Sequence, residues 1–288
     1  PGNWVGRNSS VEAELSTYFV NPAIGYTLPD FGIGRIHVGV GLQVAVTGNF
    51  RYQAAVTTFT PEGTFNLDTR MQEISFGFNA GLIYSPAEII ALGFAYRSPV
   101  EVEFEGEADF VDLPVGFPPT ASVSTRIEFP ASWTAAVNLR LHPRWRAEID
   151  VVWWRWSSYE RLNFIFDQTI VALSSNLLVD RRNFEDSWEF KGGIEYTGLL
   201  DDRLTLRSGA AYQQSPIEDA FVDAKNPGAD SWFFSGGFTY KLTSAVEIDG
   251  AYIFLRAAER RVTDTHASLD GIYTGHAHMP SLGITLNF

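Results

Sequence analysis

The sequence predicts an all-β fold, an antiparallel transmembrane β-barrel of the kind found in the bacterial outer membrane. Three observations predict it: apolar and polar side chains alternate along most of the chain, short and long connections alternate between the segments, and an alternating apolar segment ends at Phe288. A tilted strand that crosses a membrane needs about 9–11 residues. We therefore expect one transmembrane barrel domain over residues 1–288.

The alternation is clearest between residues 73 and 84, where the apolar side chains from Ile74 to Tyr84 share one face. The same pattern recurs after Trp188 and after Trp232. Strict alternation indicates a strand that has one face in an apolar environment. Glycines on the polar face leave space for an enclosed lumen.

Eleven segments carry this strand signature, and several exceed the usual strand length of about 5–6 residues. They are 11–28, 34–52, 72–85, 88–106, 121–141, 144–167, 185–198, 202–215, 231–241, 245–257 and 275–288. The short connections are 29–34, 86–87, 142–143, 199–201 and 242–244, and the long ones are 53–71, 107–120, 168–184, 216–230 and 258–274. Short turns at one end and long loops at the other are typical of an outer-membrane barrel.

The composition excludes several other classes of protein. The chain has 34 acidic and 21 basic residues and a formal net charge of -13 at pH 7, which argues against a nucleic-acid partner. It has no cysteine, so disulfide scaffolds, thiolate metal sites and cysteine nucleophiles are excluded. No apolar run approaches the ~18 residues of a membrane helix. The N-terminus lacks signal-peptide features, so we expect any signal peptide to have been removed.

The C-terminal segment predicts the orientation of the barrel. Apolar residues occupy every second position from Leu282 to Phe288. This pattern resembles the signal read by the barrel-assembly machinery, which we therefore expect as a partner, with this end in the periplasm. Counting back, the first strand begins outside the cell. Bacterial barrels usually have an even number of strands, so we expect N-terminal strands to be absent from this chain.

Several short motifs, weak alone but specific in their order, together resemble one known family. The motifs are Trp4-Val5-Gly6-Arg7, Asn21-Pro22-Ala23-Ile24-Gly25-Tyr26, Val38-Gly39-Val40-Gly41-Leu42, Phe94-Ala95-Tyr96-Arg97-Ser98-Pro99-Val100 with Phe104-Glu105-Gly106, Phe129-Pro130-Ala131-Ser132-Trp133, Asp150-Val151-Val152-Trp153 with Trp156-Ser157, and Leu206-Arg207-Ser208-Gly209 with Ser215-Pro216. The chain resembles the FadL-type (FadL/TodX) family of outer-membrane long-chain fatty-acid and hydrocarbon transporters. The resemblance implies a 14-stranded barrel of which this chain has about eleven strands and lacks the N-terminal hatch and the first three strands.

The resemblance also implies a function. It is passive uptake of long-chain fatty acids or other hydrophobic molecules, by capture on external loops, transfer to a lumen pocket and lateral release into the bilayer. The alternatives are an aromatic-hydrocarbon channel of the same family, a structural barrel subunit of a larger membrane complex, and an enzymatic barrel such as a lipid hydrolase. No nucleophile elbow or comparable motif is present, so we expect no enzyme. Outer-membrane lipid and lipopolysaccharide are the expected surroundings.

Cations that face the lumen are the candidates for binding a fatty-acid carboxylate. A buried carboxylate needs a cationic partner because its desolvation is otherwise too costly. Strand parity directs Arg51 inward, near the head-group position that the resemblance implies, although the residue identity there does not match. Lys191 and Arg207 are the next candidates. The alternative interpretation is that the lumen charges pair with one another and only make the barrel rigid.

The connection 107–120 supplies the apolar candidates Phe110, Leu113 and Phe117. These side chains are too apolar for a solvated loop. They either pack as a lid or form the groove that captures substrate, as the resemblance implies. His276 and His278 share one strand face but have no obvious third ligand, so we expect no metal site and no cofactor.

Overall fold

The computed structural model describes residues 4–225, 227–266 and 268–286, which form one antiparallel sheet. The strands are β1 (Glu12–Val20), β2 (Ala23–Thr27), β3 (Arg35–Val56), β4 (Gly63–Met71), β5 (Ser75–Ala87), β6 (Ile90–Arg97), β7 (Val100–Val111), β8 (Thr120–Phe129), β9 (Ser132–His142), β10 (Trp145–Trp154), β11 (Arg161–Ile170), β12 (Ser175–Arg181), β13 (Ser187–Leu199), β14 (Leu204–Gln213), β15 (Ser231–Lys241), β16 (Val246–Val262) and β17 (Gly271–Leu286). Single 3₁₀ turns cover Trp156–Ser158, Val171–Leu173 and Asp219–Phe221. In these residues, no helix is long and apolar enough to cross a membrane.

Several pairs of consecutive strands are two parts of one longer strand that is interrupted by a few residues. β1 and β2 both pair with β3, on either side of residues 21–22, and β4 and β5 pair with the opposite edge of β3. Similar interruptions at residues 98–99 and 130–131 separate β6 from β7 and β8 from β9. In the described residues no register joins β17 to β1 or β2, so the sheet is not closed. The all-β antiparallel fold is confirmed, and the count of eleven strands out of fourteen stays a prediction.

The connections differ in length from those predicted. The connections 28–34, 88–89, 143–144, 200–203 and 242–245 lie at one end of the sheet, here called the turn end. The connections 57–62, 112–119 and 171–174, together with the described residues 214–225, 227–230, 263–266 and 268–270, lie at the other end, here called the loop end. Two of the predicted long connections, 53–71 and 168–184, are largely strand, because they contain β4 and β12. β4 has nine residues and alternates Phe65 and Leu67 with Asn66 and Asp68, a strand pattern that the prediction included in a connection.

A bulge in β3 changes which side chains face the interior. The register between β1 and β3 shifts between Tyr18 and Phe19, so that Val46 of β3 has no partner. An extra residue of this kind changes the phase of alternation. Beyond it, Phe50 and Tyr52 pack against the interior cluster, and the residue between them points to the outer side.

The two ends of the sheet bury their side chains differently. Towards the turn end, the outer face exposes large apolar side chains such as Ile24 and Ile149, as a lipid-facing surface requires. Towards the loop end, the sheet encloses an apolar cluster on its inner side. The buried members are Ala45, Phe65, Leu67, Val100, Val102, Phe104, Ala108, Phe110, Ala121, Val123, Ile127, Leu162, Phe164, Phe166 and Ile170.

Aromatic side chains mark two levels on the outer face. One row runs in direct register across four strands, through Tyr96, Trp133, Trp153 and Trp188. The ring centroids of successive members are 5.0, 4.6 and 6.4 Å apart. Nearer the turn end, Trp145 contacts Tyr196 with ring centroids 4.6 Å apart. At a rise of ~3.3 Å per residue and a tilt of ~40°, the two levels on β10 are separated by roughly 20 Å, comparable to the ~25 Å apolar band of outer-membrane barrels.

The close approach of β4 and β7 gives a prediction about folding. Gly106 pairs with Thr69, and a Cβ at position 106 would collide with the Asp68 carbonyl oxygen and lie 2.8 Å from the Thr69 Cα. We expect Gly106→Ala to lower the free energy of unfolding by about 1–3 kcal/mol, the usual cost of overpacking. Unfolding in detergent micelles measures the effect. Gly236→Ala is the matched control, because nothing lies within 4 Å of a Cβ there; equal stability of the two variants would contradict the prediction.

Candidate functional site

Two cavities lie on the inner side of the sheet towards the loop end. The outer cavity has a volume of about 790 Å³ and the inner cavity about 270 Å³. Tyr52, Phe164, Asp180 and Lys225 line both of them, so the two cavities are neighbours. The larger volume falls within the range of small-molecule sites, about 300–1,000 Å³.

The structure brings the three predicted apolar candidates together at the outer cavity. Phe110, Leu113 and Phe117 all line it. Phe110 belongs to the end of β7 rather than to a loop, is only 7% exposed and lies 5.6 Å from Phe117 between ring centroids. It also contacts Phe65 and Phe166, at 5.4 and 5.8 Å. Phe110 is therefore part of the core of the loop end, whereas Leu113 and Phe117 are only partly buried beside it.

Aromatic side chains also line the inner cavity. Trp156 and Tyr159 each contact Phe184 edge to face, with ring centroids 5.9 and 5.3 Å apart. Burial raises the pKa of the Tyr159 phenol above its ordinary value of about 10. Tyr159 therefore stays neutral at physiological pH and adds no charge to the cavity.

Four charged side chains form a cluster between the two cavities. Arg182 Nη2 lies 2.7 Å from Asp180 Oδ2, and Arg182 Nη1 lies 3.3 Å from Asp223 Oδ2. Lys225 Nζ reaches the same two carboxylate oxygens at 2.8 and 3.3 Å. The four side chains are largely buried, so water screens these charges less than it would at the surface. Two cations balance two carboxylates.

Lys225 also contacts the wall that separates the cavities. Its Nζ lies 4.9 Å from the centroid of the Tyr52 ring, a cation–π contact. The Tyr52 hydroxyl donates a hydrogen bond to the Ser9 carbonyl oxygen, which fixes the ring. Sequence reasoning missed this cluster, because its members come from two predicted connections, 168–184 and 216–230, that are distant in sequence. The only local signal is the close spacing of opposite charges at Asp180 and Arg182 and again at Asp223 and Lys225.

Arg51, predicted to face the lumen, lies on the opposite face from Phe50 and Tyr52. The bulge in β3 is the reason, since strand parity changes at Val46. The Arg51 side chain is 46% exposed, and its guanidinium lies 3.9 Å from the carboxylate of Glu14 and 3.5 Å from that of Asp68, its cross-strand neighbours.

Lys191 and Arg207 lie elsewhere, in a third cavity of about 780 Å³ with a glycine-rich wall. Lys191 pairs with Glu189 at 3.2 Å, and Arg207 pairs with Glu195 at 2.8 Å. The three predicted cations are thus not brought together, and their role in ligand binding stays a prediction.

The remaining candidates are His276, His278 and Phe288. The two histidine rings lie 5.5 Å apart, and His278 Nδ1 shares a hydrogen bond with the Tyr252 hydroxyl. Within residues 4–225, 227–266 and 268–286 there is no group of three or more side chains suited to hold a metal ion. Phe288, the predicted assembly signal, lies outside the described residues.

The position of Phe110 in the core gives a second prediction. Phe110→Ala should lower the free energy of unfolding by about 3–5 kcal/mol, because it removes a buried ring and leaves a space among three aromatic neighbours. Val115→Ala, in the same segment, should change it by less than about 0.5 kcal/mol, because Val115 is fully exposed. Denaturant titration in micelles measures both. A small effect at Phe110 would show that the apolar segment is a lid that packs loosely.

The sequence matches one known protein family along its whole length. The family described as outer membrane protein transport protein (OMPP1/FadL/TodX) matches residues 1–288. The long-chain fatty acid transport protein of Escherichia coli O6:H1 is 24% identical over 205 residues, which cover 67% of this chain and 44% of that protein. The 47 kDa outer membrane protein of Pasteurella multocida is 24% identical over 265 residues, 88% of this chain and 58% of that protein. The chain thus spans about half the length of these curated relatives.

Solved structures share the fold. A Pseudomonas aeruginosa FadL homologue superposes with a TM-score of 0.80 at 21% identity, covering 99% of this chain and 71% of that one. The Ralstonia pickettii toluene transporter TbuX gives 0.68 at 18% identity, covering 96% of this chain and 69% of that one. The family consists of outer-membrane transport proteins rather than enzymes, and the apolar outer face agrees with that location. The chain belongs to the FadL/TodX family of outer-membrane transport proteins.

Proposed function

We propose that this chain forms the ligand-binding wall of a channel that moves hydrophobic molecules passively across the outer membrane, with long-chain fatty acids as the first substrate class. The observation that carries the proposal is the pair of neighbouring apolar cavities, which lead from the loop end into the interior and share one charged cluster. Fatty acids need both features, because an acyl chain requires apolar walls and its carboxylate requires a cation.

Capture begins at the outer cavity. Leu113 and Phe117 lie at the loop end with Phe59, whose ring centroid is 6.0 Å from that of Phe117. Apolar burial supplies about 25 cal/mol per Å², so a partly exposed aromatic wall gains free energy when an acyl chain covers it. The walls deeper in the cavity, Phe65 and Phe164, extend the same apolar surface towards the inner cavity.

The head group is held where the cavities meet. Lys225 lines both cavities, so a carboxylate beside it leaves the acyl chain free to occupy either one. Asp180 and Asp223 hold the ammonium group in position, and a ligand carboxylate adds a further charge-assisted contact. Such a hydrogen bond contributes about 1.5–3 kcal/mol net.

Release is lateral in this proposal. The inner cavity ends against Ala13, Glu14 and Leu15 of β1, the strand at one edge of the sheet. A molecule that leaves there passes between strands into the bilayer, and it need not cross the polar, glycine-rich cavity that contains Lys191 and Arg207.

An aromatic-hydrocarbon channel is the second candidate, and one observation favours it. The charged cluster between the cavities contains two cations and two carboxylates, so it presents no net charge to a ligand. A balanced cluster suits an uncharged molecule, which gains its affinity from the surrounding aromatic rings alone.

Lys225→Met separates the two candidates. In the whole protein purified in detergent, we expect this variant to bind palmitate about ten- to a hundredfold more weakly, because one charge-assisted contact is lost. Toluene binding should be unchanged, since it uses only apolar walls. Calorimetric or fluorescence titration with both ligands measures the difference.

Lys241→Met is the control, because it removes another lysine that is exposed at the turn end and lines neither cavity. It should leave both affinities unchanged. Equal loss of palmitate and toluene binding in Lys225→Met would mean that the cluster is structural. Toluene binding with no palmitate binding in the unmodified protein would favour the hydrocarbon channel. Arg51→Gln, Lys191→Met and Arg207→Gln in the same titration test the three cations predicted from the sequence.

A further inference from the structure

Basic side chains gather on the outer face of β16 and β17, near the loop end. They are Arg256, Arg261, His276 and His278, here called the outer basic patch, and all four are exposed. Arg256 is in direct register with His276, and the His276 and His278 rings are 5.5 Å apart. Arg256 and the two histidines are therefore neighbours across two strands, and Arg261 lies opposite Ile272, four β17 positions nearer the loop end.

The strand pattern shows that the patch faces away from the lumen. Asp249, Ala251 and Ile253 line the lumen cavity, so the alternate positions from Tyr252 to Arg256 lie on the outer face. The register shifts between Ala257 and Arg260, so the alternation changes phase there. Beyond the shift, the side chain of Val262 is buried on the inner side. Because neighbouring residues of a strand point to opposite faces, Arg261 lies on the outer face.

The height of the patch matches the boundary of the membrane. Arg256 is in register with Trp232, whose ring lies 4.9 Å from that of Tyr212, on the strand beside it. Aromatic residues of this kind occupy the interface between hydrocarbon and water. Towards the turn end, the same face carries apolar side chains that include Leu282 and Ile284, which are 84% and 72% exposed. The exposed apolar surface therefore lies on the turn-end side of the cations.

Among the described residues, some exposed arginines of this acidic chain form ion pairs with carboxylates, whereas others, such as Arg35 and Arg70, form none. Arg126 lies 3.1 Å from Glu103, and Arg51 lies between two carboxylates. Among the described residues, no carboxylate forms an ion pair with Arg256 or Arg261. The acidic residue nearest to them in the chain is Glu259, which is exposed at the register shift and forms no ion pair with either of them.

We propose that the outer basic patch binds the phosphate of a phosphorylated glycolipid in the outer leaflet of the outer membrane. Guanidinium groups recognise phosphate by paired hydrogen bonds, and basic residues beside an apolar surface bind anionic lipid head groups. The phosphate contacts Arg256 and Arg261, with His276 as a further donor, while the acyl chains lie along Phe254 and the apolar side chains below it. This site is separate from the transport cavities and does not depend on which molecule is transported.

The test is an Arg256→Gln/Arg261→Gln double variant of the whole protein, purified in detergent. Binding of lipid A that carries its phosphates is compared with binding of enzymatically dephosphorylated lipid A, by native mass spectrometry or titration. We expect the double variant to lose at least tenfold in affinity for the phosphorylated lipid and to bind the dephosphorylated lipid as the unmodified protein does. Arg126→Gln, which removes a paired guanidinium, should change neither.

Two further measurements keep the outcome decisive. The double variant Arg256→Lys/Arg261→Lys keeps the positive charge but lacks the guanidinium groups. It should regain part of the affinity if the Gln variant loses binding through lost phosphate contacts and not through a change of fold. Unchanged affinity of the Gln variant for phosphorylated lipid A would overturn the proposal. So would inorganic phosphate that competes at the same concentration as the lipid, because the site would then recognise a free anion and not a lipid.

Discussion

The need to satisfy every backbone hydrogen bond in contact with hydrocarbon determines the rest of this structure. Lipid offers no partner for a peptide N–H or C=O group, so each membrane-facing strand must pair along its length. β10 meets this condition, since every residue from Trp145 to Trp154 has a register partner on β9 and on β13. Because the backbone groups are used in hydrogen bonds between strands, only the side chains and the places where strand pairing is interrupted can bind a ligand.

The interruption at residues 98–99 shows how side chains replace ladder bonds. Gln43 is buried and donates from Nε2 to the carbonyl oxygens of Phe78 and Ser98, at 2.9 and 3.3 Å. Ser98 Oγ accepts from the Phe78 N–H at 2.8 Å, and Arg97 donates to Gln43 Oε1 at 2.9 Å. Because these groups are satisfied, the strand can change partner there, from β5 to β4. That change of partner separates the lipid-facing sheet from the part that encloses the two cavities.

The sequence allowed the regular part of this architecture to be predicted and failed where regularity stops. Alternation gave the all-β fold and the exposed apolar face, because period two follows directly from strand geometry. The predicted orientation of Arg51 was wrong, because the single unpaired residue Val46 reverses which side chains of β3 face inward. The amino-acid composition of the strand does not indicate such a bulge. The Lys225 cluster was missed for another reason. Its members are distant in sequence and meet only where Asp223 and Lys225 approach Asp180 and Arg182, which no local pattern indicates.

The ability of arginine and lysine side chains to bind an anionic ligand differs at three places in this chain, because their surroundings differ. Arg51 is exposed and forms ion pairs with Glu14 and Asp68. Because water screens its charge and the two carboxylates neutralise it, a further contact with a ligand would add little affinity. Between the cavities, Lys225 is buried with two carboxylates, where weaker screening makes each contact stronger and an added carboxylate must compete. On the outer face, Arg256 has no carboxylate partner among the described residues, so an anion that arrives there displaces only water. The position of a cation in the sheet, more than its presence, thus decides which ligand it can bind.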